Sequence, residues 1–340
     1  MGESEKQLEN DEERNMATIK DIAARAGVTA TTVSRVINNR GYISEETRKK
    51  VTQAMQEMNY QPNELARSLA KAHSNTIGVI VPHISHPFFS KMISALESAA
   101  AKRGYKILLC NSKDQPEKET EYLDMFISNR VTGVVMASRD VQIEKFHDLK
   151  IPIVNFEREE NTEAITIQCD NEQGGALAAS HLADCGWRHL LPFGGIVGRD
   201  MPADRRADGF LRVCRERGIE GEVLLSDRLS YGSMHYESYI EKGLLEHPET
   251  DGIFASSDLI AAQVLQRLYA MGKRVPEDIK VVGFDDTVIA GITTPSITTI
   301  HQPIEEMSEL SIAYIDRRRK GEMVPNVTTM PVSLVVRDSA

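Results

Sequence analysis

The sequence has few of the residues and motifs that mark metal sites, redox centres and common enzymes. Its four cysteines, Cys110, Cys169, Cys185 and Cys214, lie far apart and show no metal-ligand spacing. Cys110 and Cys169 stand in apolar, strand-like contexts, so we predict buried thiols in a reducing compartment. The motifs GxSxG, GxxxxGKS/T, HExxH and GxGxxG are absent, and the nine histidines are scattered. We therefore expect neither an enzyme nor a metal site, and no cofactor.

Long apolar runs are also missing. No stretch of about 18 apolar residues is present, and the amino terminus has no signal-peptide pattern. These absences predict a cytoplasmic protein that is neither exported nor inserted in a membrane. The length of 340 residues exceeds one typical core, so we expect two or three domains.

Charge is unevenly placed along the chain, whose formal net charge is −10. Residues 16–76 hold nine Lys and Arg against five Asp and Glu, whereas residues 1–15 hold two basic and six acidic residues. The remainder of the chain is strongly acidic. A basic module on an acidic body suits a DNA reader whose body is repelled from phosphates.

Residues 18–38 have the pattern of two short helices joined by a glycine turn. Apolar residues recur at helical spacing on both sides of Gly27, namely Ile19, Ile22, Ala23, Ala26, Val28, Val33, Val36 and Ile37. Thr29 stands where a helix N-cap is expected. Such a pair can lay its second helix in the DNA major groove. The alternative is an ordinary pair of surface helices.

The outer face of the second helix carries short or hydrogen-bonding residues, which suit contacts with base edges and phosphates. These residues are Ala30, Thr31, Thr32, Ser34, Arg35 and Asn38. Arg35 is a natural bidentate partner for guanine. A third helix is predicted from about residue 45 to 58, with Ser44 as its cap. Pro62 then interrupts the helical pattern, and Asn63 can cap a further short helix.

From Thr18 onward the chain resembles the LacI/GalR (lactose-repressor) family of bacterial transcription regulators. The matching motifs are Asp21-Ile22-Ala23, Ala26-Gly27-Val28, Thr32-Val33-Ser34-Arg35-Val36-Ile37-Asn38, Asn59-Tyr60-Gln61-Pro62-Asn63 and Ala66-Arg67-Ser68-Leu69. The resemblance implies base-reading roles for Ala30, Thr31 and Arg35. It implies phosphate contacts for Thr18, Ser34, Asn38 and Tyr42.

The same resemblance implies a hinge helix that follows the three-helix headpiece. Leu69 would wedge between base pairs in the minor groove, with Ala66 and Arg67 beside it. The alternative for Leu69 is a linker residue packed against the next domain. Thr29, Thr32 and Asn63 complete the set of predicted DNA-binding residues.

Beyond residue 75, apolar strands alternate with helices, which indicates parallel sheets covered on both faces. In the first half the predicted strands are 76–82, 105–110, 131–137, 151–156 and 165–169, and the helices are 87–103, 117–128 and 141–149. In the second half the strands lie near 189–193, 222–225, 252–255 and 280–283, and the helices near 173–184, 203–217, 234–245 and 259–271. Two such halves fit the type I periplasmic-binding-protein fold that the family shares.

We expect five parts in this chain. Residues 1–15 form an acidic extension that is predicted to be disordered. The headpiece covers 16–61, and the hinge helix with its linker covers 62–75. The N-terminal lobe combines 76–170 with 302–331, and the C-terminal lobe combines 171–301 with 332–340. The chain would thus cross between lobes near Asp170, His301 and Pro331.

A small ligand would bind between the lobes, where the carboxyl ends of the strands meet. Phe88 and Phe89 could stack on a sugar ring, the alternative being packing at the start of a helix. Further candidates, for which structural roles are an equal alternative, are Ser138, Arg158, Asp170, Arg228 and Ser257.

The resemblance adds Arg206 and Asp285 as effector contacts. Arg206 belongs to Arg-x-x-Gly-Phe, and Asp285 belongs to Gly283-Phe284-Asp285-Asp286. An ion pair across the cleft mouth is the alternative for these two residues. The segment Ser256-Ser257-Asp258 departs from the family's usual Ala-Asn-Asp, which leaves the identity of the ligand open.

The resemblance implies a homodimeric repressor of carbohydrate genes, cytoplasmic and nucleoid-associated. Its partners would be double-stranded DNA with a pseudo-palindromic operator and a small sugar or sugar-phosphate effector. The only tryptophan, Trp187, lies outside the expected site, which favours a sugar over the alternative nucleobase or nucleoside effector. The absence of a leucine-heptad tail favours a dimer over a tetramer.

Two further readings remain open at this point. The basic run 317–320 ends a predicted helix, where cations are favourable, but it could instead dock a phosphoprotein co-regulator. A solute-binding protein for uptake would share the cleft, but it would need a signal peptide and would lack the headpiece.

Overall fold

The computed structural model describes residues 17–60, 74–137, 151–157, 164–196 and 202–340. The chain divides into two compact units, one ending at Ser74 and the other beginning at Asn75. The predicted extension, residues 62–73 of the hinge segment and the predicted helix at 141–149 lie outside the described residues. Each unit is taken by itself below.

The amino-terminal unit contains three helices, α1 (Ile19–Ala26), α2 (Ala30–Ile37) and α3 (Glu45–Glu57). Gly27 ends α1 with a left-handed φ of 65°, a conformation that glycine adopts without steric cost. The helices enclose one small apolar core, formed by Ile22, Ala23, Val33, Val36, Val51 and Ala54. The apolar spacing in the sequence thus predicts the inward face of each helix correctly.

The N-terminal lobe is built from strands and helices in alternation. Its elements are β1 (Thr76–Val81), α4 (Pro87–Lys102), β2 (Lys106–Asn111), α5 (Pro116–Ser128), β3 (Gly133–Met136), β4 (Ile153–Phe156) and β5 (Ile165–Cys169). These strands are parallel, and their sheet has the order β5-β4-β3-β1-β2, with one further strand, described below, added at β5. Most strand residues are buried on both faces, which explains their continuous apolar runs.

The C-terminal lobe repeats this alternation. Its elements are α6 (Asn171–Asp184), β6 (His189–Ile196), a 3₁₀ turn (Pro202–Asp204), α7 (Arg205–Glu216), β7 (Glu220–Gly221), β8 (Leu224–Ser226), α8 (Arg228–Ser233), α9 (Glu237–Glu246), β9 (Gly252–Ala255), α10 (Asp258–Ala270), β10 (Lys280–Asp285), α11 (Val288–Ile292) and β11 (Thr298–His301). The sheet order is β11-β10-β9-β6-β7, and β8 also pairs with β6.

The last part of the chain contributes to both lobes. Helix α12 (Ile304–Arg319) packs on α4, and β12 (Val327–Met330) pairs in parallel with β5. The final strand, β13 (Ser333–Val335), pairs antiparallel with β11 in the other sheet. The chain therefore passes between the lobes three times, after β5, after β11 and after β12. The two-lobed α/β fold class predicted from the sequence is confirmed.

Some predicted boundaries in the second half are wrong. In place of the predicted strand at 222–225, the structure has β7 just before this range and β8 at its end, and the pairing of β8 with β6 has an irregular register. The predicted helix at 234–245 begins only at Glu237, because Met234 adopts a left-handed φ of 59° that ends the separate helix α8. Asp227 caps α8 by accepting the Ser230 N–H at 2.7 Å.

Helices α6 and α7 approach each other closely through two glycines. A Cβ atom on Gly175 would lie 1.7 Å from the carbonyl oxygen of Arg206, and one on Gly209 would lie 1.9 Å from that of Glu172. No side chain fits at either position, so the backbones of the two helices touch. This contact fixes where the first turn of α7 lies.

Candidate functional site

The first candidate site is the outer face of the headpiece. Val33 and Val36 anchor α2 in the core, whereas Ala30, Thr31 and Arg35 are exposed on its other side. An exposed face of a second helix with one free guanidinium is the arrangement that base reading in a groove requires. The predicted phosphate contact Tyr42 is 98% exposed and lies beyond the end of α2.

Several of the predicted DNA-binding residues also stabilise helix ends. The Thr18 N–H donates to the Asp21 carboxylate at 2.8 Å, and the Thr18 hydroxyl accepts the Asp21 N–H at 3.4 Å, forming a reciprocal cap. Thr29 caps α2 by accepting the Thr32 N–H at 3.2 Å. The Asn38 amide donates to the Ser34 carbonyl at 2.8 Å. The predicted minor-groove residues Ala66, Arg67 and Leu69, and the predicted DNA-binding residue Asn63, lie outside the described residues.

The second candidate site is a cleft between the two lobes of the core, with a volume of about 750 Å³ including its open mouth. It lies where strands of both sheets end, which is the usual ligand position in open α/β sheets. From the N-terminal lobe it is lined by His86, Phe88, Phe89, Ala137 and Glu157. From the C-terminal lobe it is lined by Gly195, Ile196, Ala203, Arg206, Ser226, Tyr231, Tyr236, Ser256, Ser257, Ile260 and Asp285.

Arg206 is the central cation of this cleft and is held on several sides. Its Nε donates to Asn171 Oδ1 at 2.7 Å, and its Nη1 donates to the Ser256 carbonyl oxygen at 2.5 Å. The guanidinium carbon lies 3.6 Å from the centre of the Phe284 ring, which adds a cation–π contact. Only 7% of the residue is exposed, although its side chain lines the cleft.

Asp285 faces Arg206 at the end of β10. Its Oδ1 lies 3.7 Å from Arg206 Nη1 and accepts a hydrogen bond from Gln302 Nε2 at 2.6 Å. Burial raises the pKa of the Asp285 carboxyl well above its usual range, and the nearby Arg206 opposes that rise. The φ of 107° at Asp285 is a strained backbone conformation that turns the carboxylate into the cleft.

A second buried carboxylate, that of Asp258, stabilises the loop that follows β10. Asp258 accepts the Thr287 N–H and the Thr299 hydroxyl, each at 2.6 Å. Burial raises the pKa of Asp258 to about 6, although these hydrogen bonds act in the opposite direction. Asp258 does not line the cleft, so we assign it to holding the loop after β10.

The next carboxylate along that loop, Asp286, is also hydrogen-bonded within the protein. It accepts hydrogen bonds from Arg337 Nη2 at 2.6 Å, and it lies 2.9 Å from His301 Nδ1. Burial alone would raise the pKa of Asp286, but hydrogen bonds from Arg337 and His301 lower it overall. Asp286 therefore joins β10, β11 and the carboxyl-terminal segment.

The structure brings together five of the nine effector-binding residues predicted from the sequence. Phe88, Phe89, Arg206, Ser257 and Asp285 all line the cleft. Ser257 also caps α10 by accepting the Ile260 N–H at 3.3 Å. Ser138 and Arg158 lie outside the described residues.

Two predicted residues point elsewhere. Asp170 accepts the Gln173 N–H at 2.9 Å and so caps α6, because the carboxylate follows the strand at a helix start. Arg228 is the first residue of α8, is exposed, and does not line the cleft. The rule that residues at strand ends line the site therefore predicts too many cleft residues where a helix begins directly after the strand.

Other cleft residues were missed. Ser226, Ser256 and Glu157 lie at or directly after strand ends, so the same rule could have found them. Tyr231 and Tyr236 come from α8 and the turn before α9, where the sequence carries no strand-end signal. Together with Phe88 and Phe89, these tyrosines give the cleft aromatic walls on both lobes.

The basic run at the end of α12 is largely engaged within the chain. Arg317 bonds to Glu322 and to the Met323 carbonyl, and Lys320 bonds to Asp316 at 2.8 Å. This arrangement is the helix-end role, in which cations stabilise the carboxyl terminus of a helix.

The described residues contain no helix long and apolar enough to cross a membrane. Among the same residues, no group of three or more His, Cys, Asp or Glu side chains is placed to hold a metal ion. The four cysteines are free, and Cys110, Cys169 and Cys214 are buried, whereas Cys185 is exposed.

Comparison with known proteins adds two family matches. Residues 18–63 match the model described as bacterial regulatory proteins, lacI family. Residues 179–340 match the model of a periplasmic binding protein-like domain. The two matched regions correspond to the headpiece and to the second half of the core.

The chain is similar to characterised proteins over nearly its full length. It is 36% identical over 328 residues to the ribose operon repressor of Halalkalibacterium halodurans, covering 95% of this chain and 97% of that protein. The lac repressor dimer bound to operator and the anti-inducer ONPF superposes with a TM-score of 0.83 at 25% identity, covering 95% and 99%. A periplasmic binding protein/LacI regulator from Alkaliphilus metalliredigens, complexed with D-xylulofuranose, superposes with a TM-score of 0.70 at 32% identity, covering 78% and 99%.

Proposed function

We propose a mechanism for this chain from the premise that it belongs to the lacI family of bacterial regulatory proteins, which makes it a DNA-binding transcriptional repressor and not an enzyme. Its operator would be read by the headpiece, and its effector would be a small sugar bound in the interlobe cleft. The observation that carries the proposal is the coexistence of both sites: an exposed Arg35 on a helix-turn-helix, and a buried Arg206–Asp285 pair in a cleft between two lobes.

The headpiece supports sequence-specific DNA binding. Helix α2 presents Arg35 and Thr31 on one exposed side, and Thr18, Ser34, Asn38 and Tyr42 surround that side as phosphate contacts. Arg35 would donate two hydrogen bonds to one guanine in the major groove. Residues 62–75, with Leu69 as the minor-groove wedge, would bend the operator at its centre.

The chemistry of the cleft supports a sugar. The Asp285 carboxyl group and the Arg206 guanidinium can hydrogen-bond neighbouring hydroxyl groups, and the hydrogen bonds from the guanidinium are charge-assisted. Phe88 and Phe89 on one wall face Tyr231 and Tyr236 in the lining of the other lobe, which suits the apolar faces of a sugar ring. The cleft is concave and combines apolar rings with a few polar groups, as small-molecule sites do.

Control would come from the lobes. A sugar that contacts both lobes binds more tightly to one arrangement of the lobes than to the other, and so shifts their equilibrium. The headpiece linker ends at residue 75 and leads directly into β1 of the N-terminal lobe, so a shift in lobe orientation would move the point to which the headpiece is attached. Bound sugar then changes the affinity of the protein for the operator, and bound operator changes its affinity for the sugar by the same factor.

We further propose a homodimer, as in the lac repressor dimer bound to operator. Its operator would be pseudo-palindromic, and its location cytoplasmic and nucleoid-associated. A phosphorylated sugar and a phosphoprotein co-regulator remain secondary candidates, because the described lining of the cleft has one guanidinium and the basic run on α12 is engaged internally. A nucleobase effector is less favoured, because Trp187 does not line the cleft.

The test is fluorescence anisotropy of the purified protein with a labelled pseudo-palindrome from its own upstream region. The panel contains D-ribose, D-xylulose, sucrose and their phosphates, with scrambled DNA as the control. A salt-sensitive complex with the palindrome that one sugar dissolves supports the proposal. Equal binding to palindrome and scrambled DNA would refute a sequence-specific regulator. A specific complex that only the sugar phosphates dissolve would mean that the effector is a sugar phosphate and not an uncharged sugar.

A further inference from the structure

Glu157 lines the cleft from the end of β4 in the N-terminal lobe, yet both of its carboxylate oxygens are engaged by protein. Oε1 accepts the backbone N–H of Cys169, and Oε2 accepts Nδ2 of Asn171 at 2.9 Å. Its backbone has a left-handed φ of 52°, which is uncommon for a residue with a long side chain. Glu157 is therefore directed at the start of α6 and not into open solvent.

Asn171 is the first residue of α6 and is only 4% exposed. The Nδ2 side of its amide donates to Glu157, while Oδ1 accepts Arg206 Nε at 2.7 Å. A carboxylate can only accept hydrogen bonds, and a guanidinium can only donate them. These two neighbours fix the amide in one of its two orientations, because the flipped amide would set donor against donor and acceptor against acceptor.

We propose that Glu157 is a positioning residue that aims Arg206 through Asn171. The inference rests on the proposed function, in which Arg206 contacts the sugar. The main cation of the cleft belongs to the C-terminal lobe, but its orientation is set from the N-terminal lobe. Glu157 thus joins the two lobes behind the ligand, without contacting the ligand itself.

The donor and acceptor roles of residues 157 and 171 can be exchanged by substitution. In Glu157→Gln, one amide oxygen must replace two carboxylate oxygens, so either the Cys169 N–H loses its acceptor or the Asn171 amide keeps only its long hydrogen bond, 3.4 Å, to the Cys169 carbonyl. In Asn171→Asp, two carboxylates face each other. In the double variant, the new glutamine accepts from Cys169 and donates to the new aspartate, which still accepts from Arg206. All three hydrogen bonds are then possible again with the total charge unchanged.

The experiment measures sugar-induced release of operator DNA from the full-length protein, with D-ribose and D-xylulose as probes. Each single variant is expected to raise the sugar concentration for half-release by about tenfold, the effect of losing one hydrogen bond to a charged group. The double variant is expected to return to within about threefold of the wild type, since its hydrogen bonds are restored. Glu172→Gln is the matched control, because Glu172 follows Asn171 in the sequence but is exposed and hydrogen-bonded to Arg212.

A direct contact between Glu157 and the sugar would give a different result. The double variant would then respond no better than the weaker single variant, and this outcome would overturn the positioning role. Thermal midpoints of the sugar-free protein provide a second readout that does not depend on the ligand. There the single variants should fall below the wild type and the double variant should recover; a double variant that is the least stable of the three contradicts the proposal.

The same titrations separate this inference from the proposed function. If the wild-type protein fails to bind the palindrome, the regulator function fails, whereas the order of the thermal midpoints still tests the hydrogen bonds that join Glu157, Asn171 and Arg206. If the wild-type protein releases DNA with sugar and the double variant is not rescued, only the positioning role fails.

Discussion

Replacing Gly175 by alanine should displace the cation of the cleft without touching the cleft itself. The added methyl group would lie 1.7 Å from the carbonyl oxygen of Arg206, whereas Cβ atoms essentially never approach other atoms within 3.0 Å. Helix α7 must therefore retreat from α6 by roughly 1.3 Å, the difference between these two distances. Because Asn171 lies on α6, the same movement separates it from Arg206.

The displacement sets the size of the effect. The Arg206 Nε–Asn171 Oδ1 distance, 2.7 Å in the structure, would lengthen beyond the hydrogen-bonding range. Loss of a hydrogen bond to a charged group costs about 1.5–3 kcal/mol, which weakens sugar binding roughly tenfold to a hundredfold. Overpacking between the helices should also destabilise the fold by about 1–3 kcal/mol.

Sugar titration by anisotropy and thermal unfolding of the same preparations measure both quantities. Gly291→Ala is the matched control, since Gly291 lies on α11 with nothing near its Cβ position and has no left-handed φ. The control should keep the sugar response and the stability of the wild type. A Gly175→Ala protein that binds sugar with unchanged affinity would refute the idea that the glycine contact holds Arg206 in place.

Three further substitutions test the two sites. Arg35→Ala should weaken operator binding by about 1–3 kcal/mol and relax the base preference, as seen by anisotropy on single-base operator variants; uniform weakening on every sequence would point to a phosphate contact instead. Asp285→Ala should abolish the sugar response while operator binding without sugar remains, and an unchanged sugar titration would rule out its assigned role. Thr18→Ala should remove the reciprocal cap of α1 and lower the stability of the headpiece by about 0.5–2 kcal/mol in thermal unfolding; an unchanged midpoint would mean that the cap contributes nothing.

The sequence predicts the layers of the fold well because the buried strands are continuous apolar runs. β1, β3 and β4 are buried along nearly their whole length, so their residues have no polar alternation to obscure the pattern. The headpiece helices are predicted equally well, because their apolar residues return at helical spacing and Thr29 and Ser44 provide the caps.

The sequence says less about the sheet edges. β12 and β13 are short and only partly buried, so their sequences lack the apolar runs of the central strands. β7 and β8 stand where one strand is predicted, and the register of β8 against β6 is irregular, which depends on tertiary pairing. Edge strands of this kind are specified by their neighbours more than by their own residues.

The cleft is only partly predictable for a related reason. Strand ends identify Ser257 and Asp285, but they cannot tell whether a carboxylate faces the ligand or caps a helix, as Asp170 does. Glu157 and Asn171 belong together only through folding, because β4 and α6 meet at the first passage between the lobes. No spacing in the sequence carries that contact.

The interleaving of the lobes has a consequence for synthesis of the protein. β12 and β13 occupy an edge of each sheet, and Ser339 is fully buried, donating to the Val281 carbonyl and accepting the Thr298 N–H at 2.9 Å. A nascent chain cannot complete either sheet until β12 and β13 have left the ribosome. A stop codon just before β12 would therefore damage both lobes at once, although it removes less than one-twentieth of the chain.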